Sequence, residues 1–337
     1  MSKLDIARAQ ERELDPERSE SHAEAAQQDA RHTAAAVDAE LIGDAAAHHV
    51  HVAPTATVAE STVGYYDLPV VKPAPWKWFV PAYFYAGGVA GAASVLRGAA
   101  LLAGDKKLAK QLGRLAFAGE AIGAALLVAD LGKPQRFHHM MRVVRPTSPM
   151  NVGTWILGAS SLLGALELVR PSKRLDVSTI AAMVAGGGLA TYTGVLIGNT
   201  AIPVWRHART ALPALFAASA GASAASLLEL AGVKSPLVRR FALATKTAEL
   251  AAARAVETQL GVGVVGAPLR EGRSGMLWRG ARVLQGASVI ATAVRATRVA
   301  GALGTVAAVM TRFAIHEAGR ASAADPRATL SDRQPIV

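Results

Sequence analysis

The sequence predicts an all-α integral membrane protein, a bundle of eight transmembrane helices preceded by a disordered tail. Three observations predict it. The 337 residues are 51% hydrophobic and only 18% charged, with a mean hydropathy of +0.27, whereas a soluble domain carries about a quarter charged residues. From Trp76 onward, apolar stretches follow one another, each long enough to cross about 30 Å of hydrocarbon as a helix. The net charge of +11 is also unevenly placed: residues 1–75 hold 6 Lys and Arg against 13 Asp and Glu, and residues 76–337 hold 30 against 12.

Residues 1–64 read as a solvated acidic tail, rich in Ala, Glu, Gln and Asp, with no apolar stretch able to insert. It has no basic segment followed by an apolar one, so no cleavable signal peptide is expected. His48, His49 and His51 lack a fourth ligand at fixed geometry and are not assigned a metal. Residues 65–326 form the membrane domain and 327–337 a short C-terminal tail.

The spans fall near Trp78–Leu102, Gln111–Val128, Val152–Val169, Val177–Ile197, Ala211–Ala231, Phe241–Leu260, Leu277–Ala293 and Val299–Ile315. The runs are continuous rather than alternating, so helices are expected and not a barrel. Seven spans is the alternative count, because the sixth contains Lys246, Glu249, Arg254 and Glu257 and the last two are short. In that sixth span Lys246 with Glu249, and Arg254 with Glu257, are spaced to neutralise each other. Eight spans put both termini on one side. Loops one, three and five then share the other side and carry Lys106, Lys107, Lys110 and Arg114, then Arg170, Lys173 and Arg174, then Lys234, Arg239 and Arg240. Basic short loops mark the cytoplasmic face, which places the termini outside.

The chain has no cysteine, which excludes disulfides, cysteine-ligated iron–sulfur clusters and thiol nucleophiles. No histidine falls inside a span: His138, His139 and His207 lie in loops and His316 at the end of the last span. A transmembrane b haem is therefore not expected. Nothing in the composition points to nucleic acid.

Trp76 and Trp78 read as interfacial anchors, and Gly87 with Gly91 as a site of close helix approach. Tyr83, one turn below the headgroups, places a hydroxyl where a polar partner is needed. Glu120 sits mid-span with no basic residue four positions away, so it is protonated, paired across helices or part of a proton path. Glu249 is the second proton-path candidate. The segment Asp130-Leu131-Gly132-Lys133-Pro134-Gln135-Arg136-Phe137 closes the second span, and Ser148-Pro149-Met150-Asn151 opens the third. Pro134 and Pro149 stop helices, and Ser148 or Asn151 caps the next one. Asp130 with Arg136 suits a polar ligand that exchanges protons. Tyr192, Thr193 and Asn199 place further polar groups on the side of Tyr83.

These stretches, together with Tyr65-Tyr66-Asp67-Leu68-Pro69, Trp76-Lys77-Trp78, Pro81-Ala82-Tyr83-Phe84 with Gly87-Gly88, Gly153 with Trp155, Tyr192-Thr193-Gly194, and Arg312-Phe313 before Glu317-Ala318-Gly319, make the chain resemble the NrfD family of polysulfide reductase membrane subunits over residues 65–326. The resemblance implies a haem-free subunit of eight helices in the bacterial inner membrane. It implies menaquinone or ubiquinone bound near the outer face, a ferredoxin-like iron–sulfur partner, and a molybdopterin enzyme of the formate dehydrogenase or polysulfide reductase kind. Tyr83 falls where some members have a quinone-contacting histidine, and Tyr192 where a quinone-contacting tyrosine lies. The family's asparagine early in the first span is Val80 here.

The expected chemistry is a two-electron, two-proton exchange with quinol held between Tyr83 and Tyr192, near Thr193 and Asn199. Asp130 handles protons and Arg136 sets its charge. The partner docks on basic loop two through Lys133, Arg142 and Arg145, and the chain alone is not a complete enzyme. Other classes are a passive membrane anchor and a transporter, the latter suggested by the sixth-span charges but without paired broken helices.

Overall fold

The computed structural model describes residues 69–331. The histidines of the tail, the Tyr65 to Leu68 motif and the last six residues lie outside them. Among the described residues all regular structure is helical. In chain order the α-helices are α1 (Phe79–Leu102), α2 (Lys106–Asp130), α3 (Pro149–Val169), α4 (Val177–Gly198), α5 (Pro203–His207), α6 (Ala211–Leu230), α7 (Pro236–Leu260), α8 (Gly272–Ala293), α9 (Thr297–Ala324) and α10 (Pro326–Leu330). Two 3-10 helices, Pro134–Met141 and Val264–Leu269, lie in loops two and six.

Local chemistry sets the boundaries. Asp105 caps α2, its side chain accepting from the Leu108 N–H at 2.9 Å, and Gly104 makes the turn before it with φ +75°. Ser148 caps α3 ahead of Pro149 and accepts from the Asn151 N–H. Asn151 does not cap. Its side chain accepts from the Arg145 N–H at 2.7 Å and donates to the Met140 and Val143 carbonyls, both at 2.8 Å, which ties loop two to the head of α3.

Asp176 caps α4, and the Thr179 N–H, then the Ser172 and Ser178 hydroxyls, hold its carboxyl well below the usual aspartate range. A carboxyl depressed on folding stabilises above its unfolded pKa of about 3.9, and that contribution fades as pH falls toward the folded value. Asp176→Ala is therefore expected to lose about 1 kcal/mol at pH 7, the usual cost of an N-cap. Thermal unfolding in detergent should show the gap to wild type narrowing below pH 4; a gap independent of pH contradicts the capping account.

Among the described residues, six helices are long and apolar enough to cross a membrane: α1, α2, α3, α4, α6 and α9. Long apolar residues on them face outward, among them Ile122, Leu162 and Val184, which is the inverse of a water-soluble surface. The expected sixth and seventh spans correspond to α7 and α8, which are of similar length but less apolar. Lys246 and Glu249 of α7 are buried. Contrary to the expected pairing along one helix, Lys246 bonds Glu229 of α6 at 2.5 Å. A lysine chain reaches a neighbouring helix as easily as its own next turn. Arg254 does pair with Glu257, at 3.3 Å, and Glu257 also binds Arg282 and the Trp278 indole.

α1 is the central helix, buried along nearly its whole length and packed on α2, α4, α6 and α9. It crosses α4 at Gly91 and Gly186, where a Cβ on either glycine would run into the other's backbone. Gly87 plays a different part: its open face receives the ring of Tyr83. One apolar cluster, at the loop-one end, joins Leu96, Leu101, Leu108, Leu112, Leu228 and Val238. The other, at the opposite end, centres on Trp205, which is fully buried and donates to the Ile315 carbonyl at 2.8 Å. Trp76 stacks on Trp205 with centroids 5.6 Å apart and meets Phe84 edge-on. Trp76 thus packs against the bundle while staying partly exposed, whereas Trp78 is 59% exposed.

Candidate functional site

Four helix ends and loop two enclose a cavity of about 290 Å³ in the Trp205 end of the bundle, near the lower limit of small-molecule sites. Its apolar walls come from Val80, Phe84, Leu127, Val128, Leu157 and Leu196. Phe137, Met141 and Met150, each about half exposed, form its rim, and methionine side chains adapt readily to an irregular ligand. The polar groups in the lining are few: the hydroxyls of Tyr83, Tyr192, Thr154 and Ser161, the indole of Trp76 and the carboxylate of Asp130.

Tyr83 and Tyr192 are 3% and 8% exposed. Their phenols lie within electrostatic reach of each other, and among the described residues neither hydroxyl has a hydrogen-bond partner in the protein. Tyr192 reaches the cavity because α3 presents Gly153 to it: a Cβ at Gly153 would fall on the Tyr192 ring and hydroxyl. Gly123 of α2 likewise leaves room for the ring of Tyr83. Asp130, the last residue of α2, is half-buried at the mouth and accepts from the Lys77 N–H at 3.3 Å, which joins the end of α2 to the start of α1.

The expected site residues are thus brought together in part. Tyr83, Tyr192 and Asp130 share the cavity; Thr193, Asn199 and Arg136 do not line it. Thr193 is buried on another side of α4, since successive helical residues turn by about 100°. Asn199 is exposed and closes α4 by donating to the Val195 carbonyl at 2.8 Å. Arg136 is exposed on loop two, and no ion pair joins it to Asp130 among the described residues. Glu120 lies one turn below the cavity lining residue Ala124 and accepts from Ser160 of α3 at 2.6 Å, while its second carboxylate oxygen has no partner. That hydrogen bond crosses to another helix but its partner is neutral. Glu249 is remote from the cavity, on α7.

Sequence reasoning gave no role to Gly153 or to the methionine rim. Gly153 stood in a recognised stretch, but only the fold shows which ring fills the space its missing side chain leaves. Lys133, Arg142 and Arg145 are exposed and form no ion pair among the described residues. They flank the exposed apolar side chains of Phe137, Val143 and Val144 on the same loop. No group of three or more His, Asp or Glu able to hold a metal ion occurs among the described residues.

The fold and the cavity define a helical membrane protein with an apolar cavity that carries two phenols and a carboxylate. A family model described as polysulfide reductase, NrfD_2, matches residues 62–324. The chain belongs to that family, whose members are membrane subunits of molybdoenzyme complexes. No curated protein matches the sequence.

Proposed function

We propose that the cavity binds the headgroup of menaquinone or ubiquinone, and that the chain exchanges electrons and protons between the quinone pool and an iron–sulfur subunit of a molybdenum or tungsten enzyme. The observation that carries this reading is the pair of phenols without protein hydrogen bonds in the lining of a mostly apolar cavity. A quinone fits such a lining: its two carbonyl oxygens accept from Tyr83 and Tyr192, its ring lies among Phe84, Leu157 and Leu127, and its apolar tail leaves past the methionine rim. When bound, it supplies a two-electron, two-proton couple. Asp130 stands at the mouth, able to take up or release a proton beside the phenols.

The partner docks on loop two. Exposed Phe137, Val143 and Val144 provide the apolar contact, and Lys133, Arg142 and Arg145 meet acidic residues across the interface, which sets orientation and on-rate. α7 and α8 cross the membrane with the other six long helices, because the innermost charges of α7 are turned inward and hydrogen-bonded rather than presented to lipid. Eight crossings put the acidic tail and the cavity outside, with basic loops one, three and five in the cytoplasm. The partner enzyme, acting on polysulfide, formate or a similar substrate, completes the reaction.

Titrating purified chain with a short-tailed naphthoquinone analogue, followed by quenching of tryptophan fluorescence, tests the reading. Tyr83→Phe is expected to weaken binding about tenfold, the worth of one hydrogen bond. Asp130→Asn is expected to leave binding nearly intact and to slow quinol oxidation by the assembled complex by about a hundredfold, the scale of a lost proton acceptor. Absence of binding by the wild-type chain, with assembly intact, would make it a passive anchor.

A further inference from the structure

The half of the bundle formed by α6 to α9 buries a second set of charges that the cavity does not use. At the loop-five end, Lys246 Nζ lies 2.5 Å from Glu229 and 3.0 Å from the Thr292 hydroxyl, and Thr292 donates to the other Glu229 oxygen at 2.9 Å. One turn along α7, Glu249 accepts from Gln285 at 2.6 Å and from Thr311 at 3.4 Å. Glu249 lies within electrostatic reach of both Lys246 and Arg312. Arg312 donates to the Phe216 carbonyl at 3.0 Å and lies over the Phe216 ring. One turn further along α9, His316 meets Glu317 at 3.3 Å.

Lys246, Glu249, Arg312 and His316 are all at most 3% exposed. The α9 positions that flank this set, Ala300 and His316, are sixteen residues apart, about 24 Å of helix. Each end opens. A cavity of about 440 Å³ is lined by Glu229 and Thr292, and one of about 750 Å³ at the opposite face by Glu317 and Ser322.

Along the interval several buried polar atoms have no protein partner, the hydroxyl of Ser226, Gln285 Oε1 and Arg312 Nε and Nη1, while Ser219 faces Glu249 and His316 the Trp76 backbone. Buried polar atoms are nearly always satisfied. Orphans on α6, α8 and α9 call for buried water between these helices. A purely structural ion pair needs none of them, and apolar side chains would fill the same space at lower cost.

We propose that α6 to α9 carry protons between the two membrane faces, along Glu229, Glu249 and His316, independently of the quinone cavity. A proton entering at the Glu229 opening moves through water to the Glu249 carboxylate, which holds it as a neutral acid. It leaves by way of His316 and Glu317 as the next one enters, so one proton is released for each taken up and no electron moves. The charge of Lys246 and Arg312 on the same route is offset by Glu229, Glu249 and the Phe216 carbonyl, so neither stands as a bare positive barrier.

The test uses the full chain reconstituted in liposomes that contain a pH-sensitive dye, with a potassium gradient and valinomycin setting the driving potential. Wild-type vesicles are expected to acidify faster than empty ones. Glu249→Gln, which keeps an acceptor for Gln285, is expected to lower the rate about tenfold or more, and Glu249→Asp to restore part of it, with naphthoquinone binding unchanged in both. Wild-type flux equal to that of empty vesicles overturns the proposal, as does Glu249→Gln flux equal to wild type. Replacing the potassium gradient with a sodium gradient separates proton from cation movement: sodium-dependent flux also overturns it.

Discussion

Gly153→Ala is expected to abolish most quinone-analogue binding, by about a hundredfold or more, equivalent to roughly 2.7 kcal/mol. Alanine in place of glycine inside a helix ordinarily stabilises, by about 0.5–1 kcal/mol. Here the added Cβ would fall on the Tyr192 ring and hydroxyl, so either the ring swings away or α3 moves off α4. Both outcomes misplace a wall and a hydrogen-bond donor of the cavity together. Binding measured beside circular dichroism separates the effects, since the helix content should be kept while affinity is lost. Unchanged affinity would remove Tyr192 from the site.

Arg97→Ala is expected to cost about 3 kcal/mol of stability, the lower part of the range for stranding one member of a buried ion pair. Arg97 of α1 lies 2.6 Å from Glu167 of α3, and both are buried at the loop-one end. The lower part applies because Glu167 keeps the Thr179 hydroxyl at 3.0 Å and the Ser172 N–H at 3.2 Å. The double variant Arg97→Met with Glu167→Leu removes both charges and is expected to recover most of the loss. Thermal unfolding in detergent, with the single and double variants compared as a cycle, measures the coupling. A double variant as unstable as the single one would show that packing, and not the stranded carboxylate, sets the cost.

Much of the helical order was legible in the sequence because lipid removes ambiguity. A backbone in hydrocarbon must satisfy its own hydrogen bonds, so an apolar stretch between a capping residue and a glycine or proline is a helix. α4 illustrates it, running from Asp176 at its cap to Gly198 against an expected Val177–Ile197. The hydropathy signal fails for α7 for the converse reason: charge turned toward the bundle interior, as at Lys246 and Glu249, counts against a span as heavily as charge facing lipid, while in α8 the exposed Arg273 and Arg279 lower it directly.

The candidate site was legible where chemistry is rare. Few phenols and acids occur in the spans of this chain, so Tyr83, Tyr192 and Asp130 stood out, and they share one cavity. Adjacent residues misled, since Thr193 follows Tyr192 yet faces elsewhere, and Asn199 serves its own helix end. Arg97, Glu167 and Glu229 drew no attention because each lies near the end of its span, and the partner of each is on another helix.

The sequence by itself therefore determined that this is a helical membrane protein, roughly where its long helices begin and end, and to which family it belongs. Those properties follow from local quantities, apolar run length and capping chemistry, that need no knowledge of neighbours. Only the tertiary structure decided that Glu229 and not Glu249 holds Lys246, that Gly153 makes room for Tyr192, and that a line of buried polar atoms runs through α6 to α9. Each depends on helix rotation and on contacts between residues tens of positions apart, which close packing sets and one-dimensional order does not.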